Sequence, residues 1–264
     1  MEQNKQQNPV RIAAVGDIHV KETDQGKWVE YFQTVSAQAD ILLLCGDLTD
    51  TGHLAEAEVL AQELKACTIP IIAVLGNHDY ERDQQKTIKK MLENDNVHIL
   101  DGQSIVLHGI GFAGIKGFGG GFDKHMLSMF GEPMIKSFVQ EAVDDALKLD
   151  RALAHLDVDY VDIPKIVVLH YAPIKETVVG EPPEIFPYLG CSRLVEPINR
   201  RQVLVAFHGH AHVGTLEGQT SAGVKVFNVA KPILQREGYE VPYYLYEVEL
   251  KPEPAVQEVA NQQE

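Results

Sequence analysis

Apolar residues occur along this chain in two kinds of segment, and each kind predicts one type of secondary structure. The first kind is a short run of aliphatic and β-branched residues, typical of a buried strand. Such runs occupy residues 10–15, 41–45, 71–75, 166–169, 203–207, 224–229 and 243–250. The second kind repeats its apolar positions at three and four residues, as an amphipathic helix does. Segments of this kind occupy residues 28–38, 54–66 and 133–156. Because strands alternate with helices, the pattern predicts an α/β fold with a largely parallel central sheet.

The two ends of the chain are polar and lack the apolar periodicity of the rest. Residues 1–8 and 251–264 are therefore interpreted as polar tails. Between them the sequence contains no long Gly/Ser linker and no internal repeat, and a length of 264 residues suits one α/β domain. We expect a single domain over residues 9–250.

Composition and charge argue against several classes of protein. Apolar residues make up 45% of the chain, which is globular rather than disordered composition. A formal net charge of −15 repels duplex nucleic acid and anionic membranes, so neither is an expected partner. No apolar run approaches the ~18 residues that span a bilayer, and the N-terminal residues lack the apolar core of a signal peptide. The few cysteines without CxxC spacing favour reduced thiols and a cytoplasmic location.

Side chains that can ligate a metal follow five of the predicted strands. In chain order they are Asp17 and His19, Asp47, Asn77 with His78 and Asp79, His170, and His210 with His212. Because ligands bind beyond the carboxyl ends of strands in α/β sheets, we expect these groups to converge at one edge. Carboxylate, amide and imidazole donors suit Zn, Mn or Fe. There are too many donors for one tetrahedral ion, so the set favours two metal ions that share a carboxylate.

The order of these motifs resembles that of the calcineurin-like metallophosphoesterase superfamily. The matching motifs are Asp17-x-His19, Gly46-Asp47, Gly76-Asn77-His78-Asp79, His170 and Gly209-His210-x-His212. Each motif alone is weak, but five in order, each after a strand, form a specific pattern. The resemblance implies a four-layer α-β-β-α sandwich in which two mixed sheets face each other.

The resemblance also implies a dinuclear metal centre. Asp17, His19 and His212 would hold the first ion, and Asp47 would bridge the two ions. The second ion would be held by Asn77, His170 and His210. Mn, Fe and Zn all accept such ligands, so the sequence leaves the identity of the metals open.

His78 would not bind a metal in this scheme but would act as the proton donor, oriented by Asp79. Two metal ions would supply a bridging hydroxide for in-line attack on phosphorus. The leaving oxygen then needs a proton, which an imidazole can provide near neutral pH. The sequence therefore predicts a metal-dependent phosphoric ester hydrolase with a small phosphate-ester substrate. The motif around His78 is similar to that of diester-cleaving members and favours a phosphodiester, such as a cyclic nucleotide.

Other interpretations remain open at this point. Asp17 and Asp47 could be helix N-caps, and His170 could be a core histidine. A small-molecule phosphomonoesterase, a zinc hydrolase of amides or lactones, and a non-catalytic scaffold of the same fold are the alternative functions. The scaffold is the weaker alternative because no ligand position is missing and His78 is present.

Three further features receive predictions of their own. The glycine-rich stretch 117–122 lacks the spacing of a nucleotide-binding motif and is expected to be a flexible loop; whether it lines the substrate cleft is left open by the sequence. Lys175 or Arg193 is a candidate contact for the phosphate or its organic group, although a solvated surface charge explains either residue equally well. His208 is interpreted as a strand-end residue rather than a support for a ligand.

Overall fold

The strands form two mixed sheets, as seen in a computed structural model that describes residues 8–160 and 162–250. The first sheet contains β1 (Val10–Val15), β2 (Ile41–Cys45), β3 (Ile71–Val74), β4 (Val97–Ile99) and β11 (Tyr244–Val248). The second contains β5 (Gln103–Leu107), β6 (Ile110–Ile115), β7 (Lys165–Leu169), β8 (Val205–His208), β9 (Glu217–Gln219) and β10 (Lys225–Asn228). The helices are α1 (Val29–Gln38), α2 (Leu54–Glu63), α3 (Gln85–Leu92), α4 (Pro133–Asp159), α5 (Phe186–Leu189), α6 (Val195–Arg200) and α7 (Lys231–Arg236).

Each sheet is parallel in its centre and antiparallel at an edge. The first has the order β11-β1-β2-β3-β4, in which only β11 runs antiparallel to its neighbour. The second has the order β5-β6-β7-β8-β10-β9, with antiparallel pairs at both ends. Parallel neighbours place their carboxyl ends at the same edge, so the loops after β1, β2 and β3 meet there.

The two sheets pack face to face, and the alternation of side chains along the second sheet shows how. Phe112, Val168 and Phe207 belong to the core shared with the first sheet. One neighbour of each of these residues along its strand, Ala113, Leu169 or Ala206, points the other way, into the cluster that includes residues of α4 and α6. On the other side, α1, α2 and α3 bury apolar side chains against the first sheet. These four layers confirm the α-β-β-α sandwich that the sequence motifs imply.

Each strand predicted from an apolar run begins and ends within two residues of an observed strand. The expectation of one largely parallel central sheet is wrong, because the strands divide between two sheets. The sequence also misses β6, in which Gly111 and Gly114 interrupt the apolar run. A Cβ at Gly114 would meet Leu100 and Val74, so this glycine allows the sheets to approach closely.

The polar tails fall on residues that the structure largely does not describe. Residues 1–7 and 251–264 lie outside the described ranges, so the tails and the domain limits at 9 and 250 stay predictions. Within the described ranges, no helix combines the length and the apolar character needed to cross a membrane. The cysteines are all buried and free.

Candidate metal centre

The loops that carry the predicted ligands are joined by backbone hydrogen bonds at one edge of both sheets. Asp17 N donates to Gly46 O at 2.9 Å, which joins the loops after β1 and β2. Gly209 N donates to His170 O at 3.1 Å, which joins the loops after β7 and β8. Gly16 N donates to Val229 O at 2.9 Å and so links the two sheets. Residues that are distant in sequence therefore reach one cleft.

Four of the predicted ligands have backbone conformations that are rare for residues with a side chain. Asp17, His19, Asp47 and His210 have φ values of 60°, 46°, 50° and 70°. Residues held in the left-handed region cost about 1–3 kcal/mol each and cluster at functional sites. We attribute the direction of these four side chains, toward the cleft, to their left-handed backbone conformations.

Three of the predicted ligands form the first group. Asp17, His19 and His212 each offer one ligand atom, and these atoms lie within 4.8 Å of one another. His212 Nε2 lies 2.9 Å from Asp17 Oδ1. The backbone N–H of His210 donates to both carboxylate oxygens of Asp17, at 3.1 and 3.0 Å. The Asp17 carboxylate is thus fixed while one of its neighbours, His19, lacks a fixed partner.

Asp47, His170 and His210 form a second group within the same 4.8 Å limit. Asn77 joins it, since its Oδ1 lies 2.8 Å from His170 Nε2. The two oxygens of Asp47 face different groups: Oδ1 lies 3.4 Å from His170 Nε2 and Oδ2 lies 3.8 Å from His19 Nε2. Asp47 therefore stands between the two groups.

The pKa values of the two carboxylates are shifted in opposite directions. Burial alone would raise the pKa of Asp17, but the hydrogen bond from His212 and the nearby imidazoles lower it to about 2. Burial and the neighbouring charges of Asp17 and Asp79 raise the pKa of Asp47 well above its ordinary value. A buried carboxylate in this position requires a proton or a cation beside it.

The imidazoles are mostly neutral, as metal ligands must be. Burial lowers the pKa of His19 to about 4 and lowers that of His170 well below its ordinary range. Burial also lowers the pKa of His210. His212 differs, because its hydrogen bond to Asp17 raises its pKa. A proton therefore competes for the His212 nitrogen more strongly than for the other three.

Hydrogen bonding at two imidazoles of the site is incomplete. His19 Nε2 is buried and makes no hydrogen bond to any described residue. His170 Nδ1 lies 3.0 Å from Cys45 O, and its Nε2 faces Asn77 Oδ1. Either neutral tautomer of His170 leaves one ring nitrogen facing an oxygen without a proton between them. A cation would satisfy both sites, so these His/Asp clusters fit a metal site.

Glycine is required at two points where backbone and ligand meet. A Cβ at Gly76 would overlap with the Asp47 carboxylate, and a Cβ at Gly46 would overlap with the His170 ring. Gly46 also has a φ of 83°. Gly76 does not have a positive φ, and its role is to leave space for Asp47.

His78 lies at the cleft, but Asp79 does not orient it as the sequence predicts. His78 Nδ1 lies 2.8 Å from Asp50 O and 2.8 Å from Glu81 Oε1. Its Nε2 lies 3.9 Å from Asp47 Oδ2, the oxygen that faces His19, and His19, Asp47 and His78 also meet the 4.8 Å limit. Asp79 is fully buried and turns its carboxylate in the opposite direction.

The Asp79 carboxylate connects the loops after β2 and β3. It accepts hydrogen bonds from the backbone N–H groups of Leu48, Thr49 and Gly76, and from the Thr49 hydroxyl. The expected partner is wrong because adjacent residues in a 3-10 turn point to different sides, whereas His78 and Glu81, three residues apart, share a face. The three-residue spacing between His78 and Glu81 is the sequence signal that could have identified Glu81 as a partner of His78.

Other features singled out in the sequence have structural contacts of their own. The stretch 117–122 is a loop, as expected, but it is largely buried and hydrogen-bonds to residues 187 and 190, which does not support the expected flexibility. Arg193 donates to Leu127 O at 3.1 Å, and Lys175 is exposed. His208 is buried, with Nε2 at 2.8 Å from Thr177 Oγ1, as a structural strand-end residue should be.

A residue that the sequence analysis missed supports His210. His210 Nε2 lies 3.1 Å from the carbonyl oxygen of Tyr188, so the ring donates there and leaves Nδ1 free to ligate. Tyr171 packs on the same ring at 4.4 Å between centroids. No sequence signal marks the Tyr188 carbonyl, because its role depends only on where α5 lies relative to His210.

Comparison with known proteins identifies the family. The sequence profile of the calcineurin-like phosphoesterases matches residues 10–214, which is more than half of the chain. The chain therefore belongs to the calcineurin-like phosphoesterase family, and the resemblance of its motifs is confirmed. Among curated protein sequences, none is significantly similar to this chain.

Solved structures share the fold at low sequence identity. The phosphopantetheinyl hydrolase of Mycobacterium tuberculosis superimposes with a TM-score of 0.64 at 15% identity, covering 94% of this chain and 99% of that one. Purple acid phosphatase PPD1 of yellow lupin gives 0.51 at 14%, covering 80% and 38%. GAP50, the anchor in the inner membrane complex of Plasmodium, gives 0.51 at 15%, covering 86% and 73%. These proteins are similar to this chain in fold.

Removal of the Asp79 carboxylate is expected to destabilise the fold. In Asp79→Ala the buried donors of Leu48, Thr49 and Gly76 lose their acceptor, and we expect a loss of about 3 kcal/mol in the free energy of unfolding. Urea denaturation followed by circular dichroism measures this loss. Asp101→Ala, at an exposed position, is the control. Equal stability of the two variants would contradict the connecting role of Asp79.

Metal binding is expected to stabilise the protein in a pH-dependent way. At a concentration one hundred times Kd, Mn²⁺ should increase the free energy of unfolding by about 2.7 kcal/mol relative to the metal-free protein and raise the Tm by roughly 5–10 °C. The rise should shrink as the pH falls through the raised pKa of His212, because protons then occupy its Nε2. Differential scanning fluorimetry across pH measures both effects.

The matched variants for that experiment are Asp47→Asn and Asp83→Asn. Asp47 stands between both groups, so its variant should lose most of the Mn²⁺-dependent rise in Tm. Asp83 is exposed and outside the groups, so its variant should keep the rise. An undiminished rise in Asp47→Asn would show that the metal binds elsewhere.

Proposed function

We propose that this protein is a dinuclear metal-dependent phosphoesterase that prefers phosphodiesters. The observation that carries the proposal is the pair of Asp/His groups in one cleft with Asp47 between them. Asp17, His19 and His212 would hold one ion. Asn77, His170 and His210 would hold the other, and Asp47 would be shared. When bound, two divalent cations would lower the pKa of the attacking water and neutralise charge on the phosphoryl group.

The chain's own residues would supply the remaining chemistry. With Nδ1–H held by Asp50 O and Glu81, His78 presents Nε2 to the cleft. As the bond between phosphorus and the leaving oxygen breaks, the Nε2 proton would move to that oxygen. The partly exposed His78 ring can reach a bound ester because 34% of its side-chain surface is accessible.

The substrate class follows from charge and space. The protein carries a net charge of −15, which disfavours a large polyanion, while a local cationic centre would attract one small phosphate ester. The cleft opens beside His78 and His19, which leaves room for the organic group of a diester. The cytoplasmic location inferred from the sequence is compatible with a small soluble ester.

A screen of phosphate esters tests the proposal directly. The protein, loaded in turn with Mn²⁺, Fe²⁺ and Zn²⁺, is assayed on mono- and diesters, including cyclic nucleotides and glycerophosphodiesters. Bound metal is quantified on the same samples. We expect about two ions per chain and faster hydrolysis of bis(4-nitrophenyl) phosphate than of 4-nitrophenyl phosphate. Full metal occupancy without hydrolysis of any ester would contradict the proposal and support the alternative function, a non-catalytic scaffold of the same fold.

His78→Ala is expected to separate metal binding from proton transfer. It should keep both metals and lose about 10²–10⁴-fold in kcat on esters with poor leaving groups, such as alkyl esters. The loss should be small on 4-nitrophenyl esters, whose leaving group needs no proton. Steady-state kinetics over a series of leaving groups measures the difference. His108→Ala, at an exposed position outside the cleft, is the control. Unchanged rates on alkyl esters would contradict the role of His78 as proton donor.

A further inference from the structure

A pocket of about 570 Å³ lies against the first group of predicted ligands. Its walls include Asp17, His19, His212 and His78. Trp28 and Lys231, which lie beside each other, also line it, and no step of the proposed chemistry uses them. The volume exceeds what a phosphate group needs, so the pocket has space for the organic part of an ester.

Hydrogen bonds hold in place the backbone segments that carry Trp28 and Lys231. Glu63 on α2 is buried, and its carboxylate accepts hydrogen bonds from Gly26 N at 2.6 Å and Trp28 N at 2.8 Å. These bonds hold the loop that carries Trp28. Lys231 N donates to Gly16 O at 2.9 Å, which places Lys231 next to the loop that carries Asp17.

Among the described residues Lys231 makes no ion pair within 4.0 Å, unlike Lys21, although the charges of Asp24 and Asp17 in the same pocket act on it. Lys21 lies 3.7 Å from Asp50, and Asp24 is paired with Lys27 at 2.7 Å. In contrast, no carboxylate of the described residues forms an ion pair within 4.0 Å of Lys231. Its Nζ lies 4.7 Å from the centroid of the Trp28 ring, a cation–π contact that restrains the half-buried ammonium group.

We infer that this pocket binds the organic part of the ester and that Lys231 contacts an anionic group on it, a carboxylate or a second phosphate. A partly desolvated ammonium that has no carboxylate partner forms a strong, charge-assisted hydrogen bond with such a group. The inference rests on the proposed function and narrows its substrate class. Esters whose organic group is uncharged would bind without this contact, and Lys231 would be a specificity-determining residue.

Non-hydrolysable phosphonates test the inference. Phosphonocarboxylates of two to four carbons are compared with alkylphosphonates of the same length. Both series are measured as inhibitors of bis(4-nitrophenyl) phosphate hydrolysis by the Mn²⁺-loaded protein, and as ligands by calorimetry. For the best chain length we expect the carboxylate to bind about tenfold more tightly than its alkyl partner.

Lysine variants assign the effect to one residue. In Lys231→Met the ratio of the affinity for the phosphonocarboxylate to that for the alkylphosphonate should fall from about ten to about one. In Lys231→Arg part of this preference should remain. Lys225→Met is the control, because Lys225 pairs with Glu217 away from the pocket, and its ratio should equal that of the wild type. A wild-type ratio near one at every length, or an unchanged ratio in Lys231→Met, would overturn the inference.

The two proposals fail in different ways. If the metal-loaded protein hydrolyses no ester, the proposed function is wrong, and calorimetry of the phosphonate pairs still tests the pocket. If hydrolysis occurs and the ratio stays near one, the pocket inference alone is wrong.

Discussion

The structure must compensate the charges of two carboxylates, Asp17 and Asp47, that are buried in one cleft. The charge of Asp17 is balanced by His212 and by the backbone N–H of His210. Asp47 accepts a backbone hydrogen bond from His78 N, but burial and its acidic neighbours still raise its pKa. Because a buried charge is unfavourable at low dielectric, a cation beside Asp47 would offset the cost of burying its carboxylate. The neutral imidazoles around it offer lone pairs to the same cation.

The architecture explains how these groups meet. Parallel strands deliver their loops to one edge, and facing sheets bring two such edges together. The loops must then bend sharply, which places Asp17, Asp47 and His210 in strained conformations. Asp79 helps to hold that strain, because it ties the backbone after β2 to the backbone after β3. Stability and function are coupled here through a residue that does not contact the reacting groups.

Charge is organised on two scales in this protein. The overall surface is strongly acidic, which keeps polyanions at a distance. Inside the cleft, bound metals would reverse the local field, and Lys231 adds a positive charge at the pocket wall that it forms with Trp28. This distribution is the reason for proposing a small ester that carries a second anionic group. Trp28 and Glu63 support that wall without forming part of the metal centre.

Seven of the eleven strands and the candidate ligands from Asp17 to His212 could be read from the sequence alone, and its motifs implied the four-layer fold. These features are readable because strand periodicity and strand-end chemistry are local properties. The sequence pattern did not reveal β4, β5, β6 and β9. Nor did it reveal that the strands divide between two sheets, that Asp79 connects two loops instead of orienting His78, or that Lys231 and Trp28 line the pocket. Those outcomes depend on contacts between residues far apart in the chain, whose neighbours are fixed by packing and leave no local pattern.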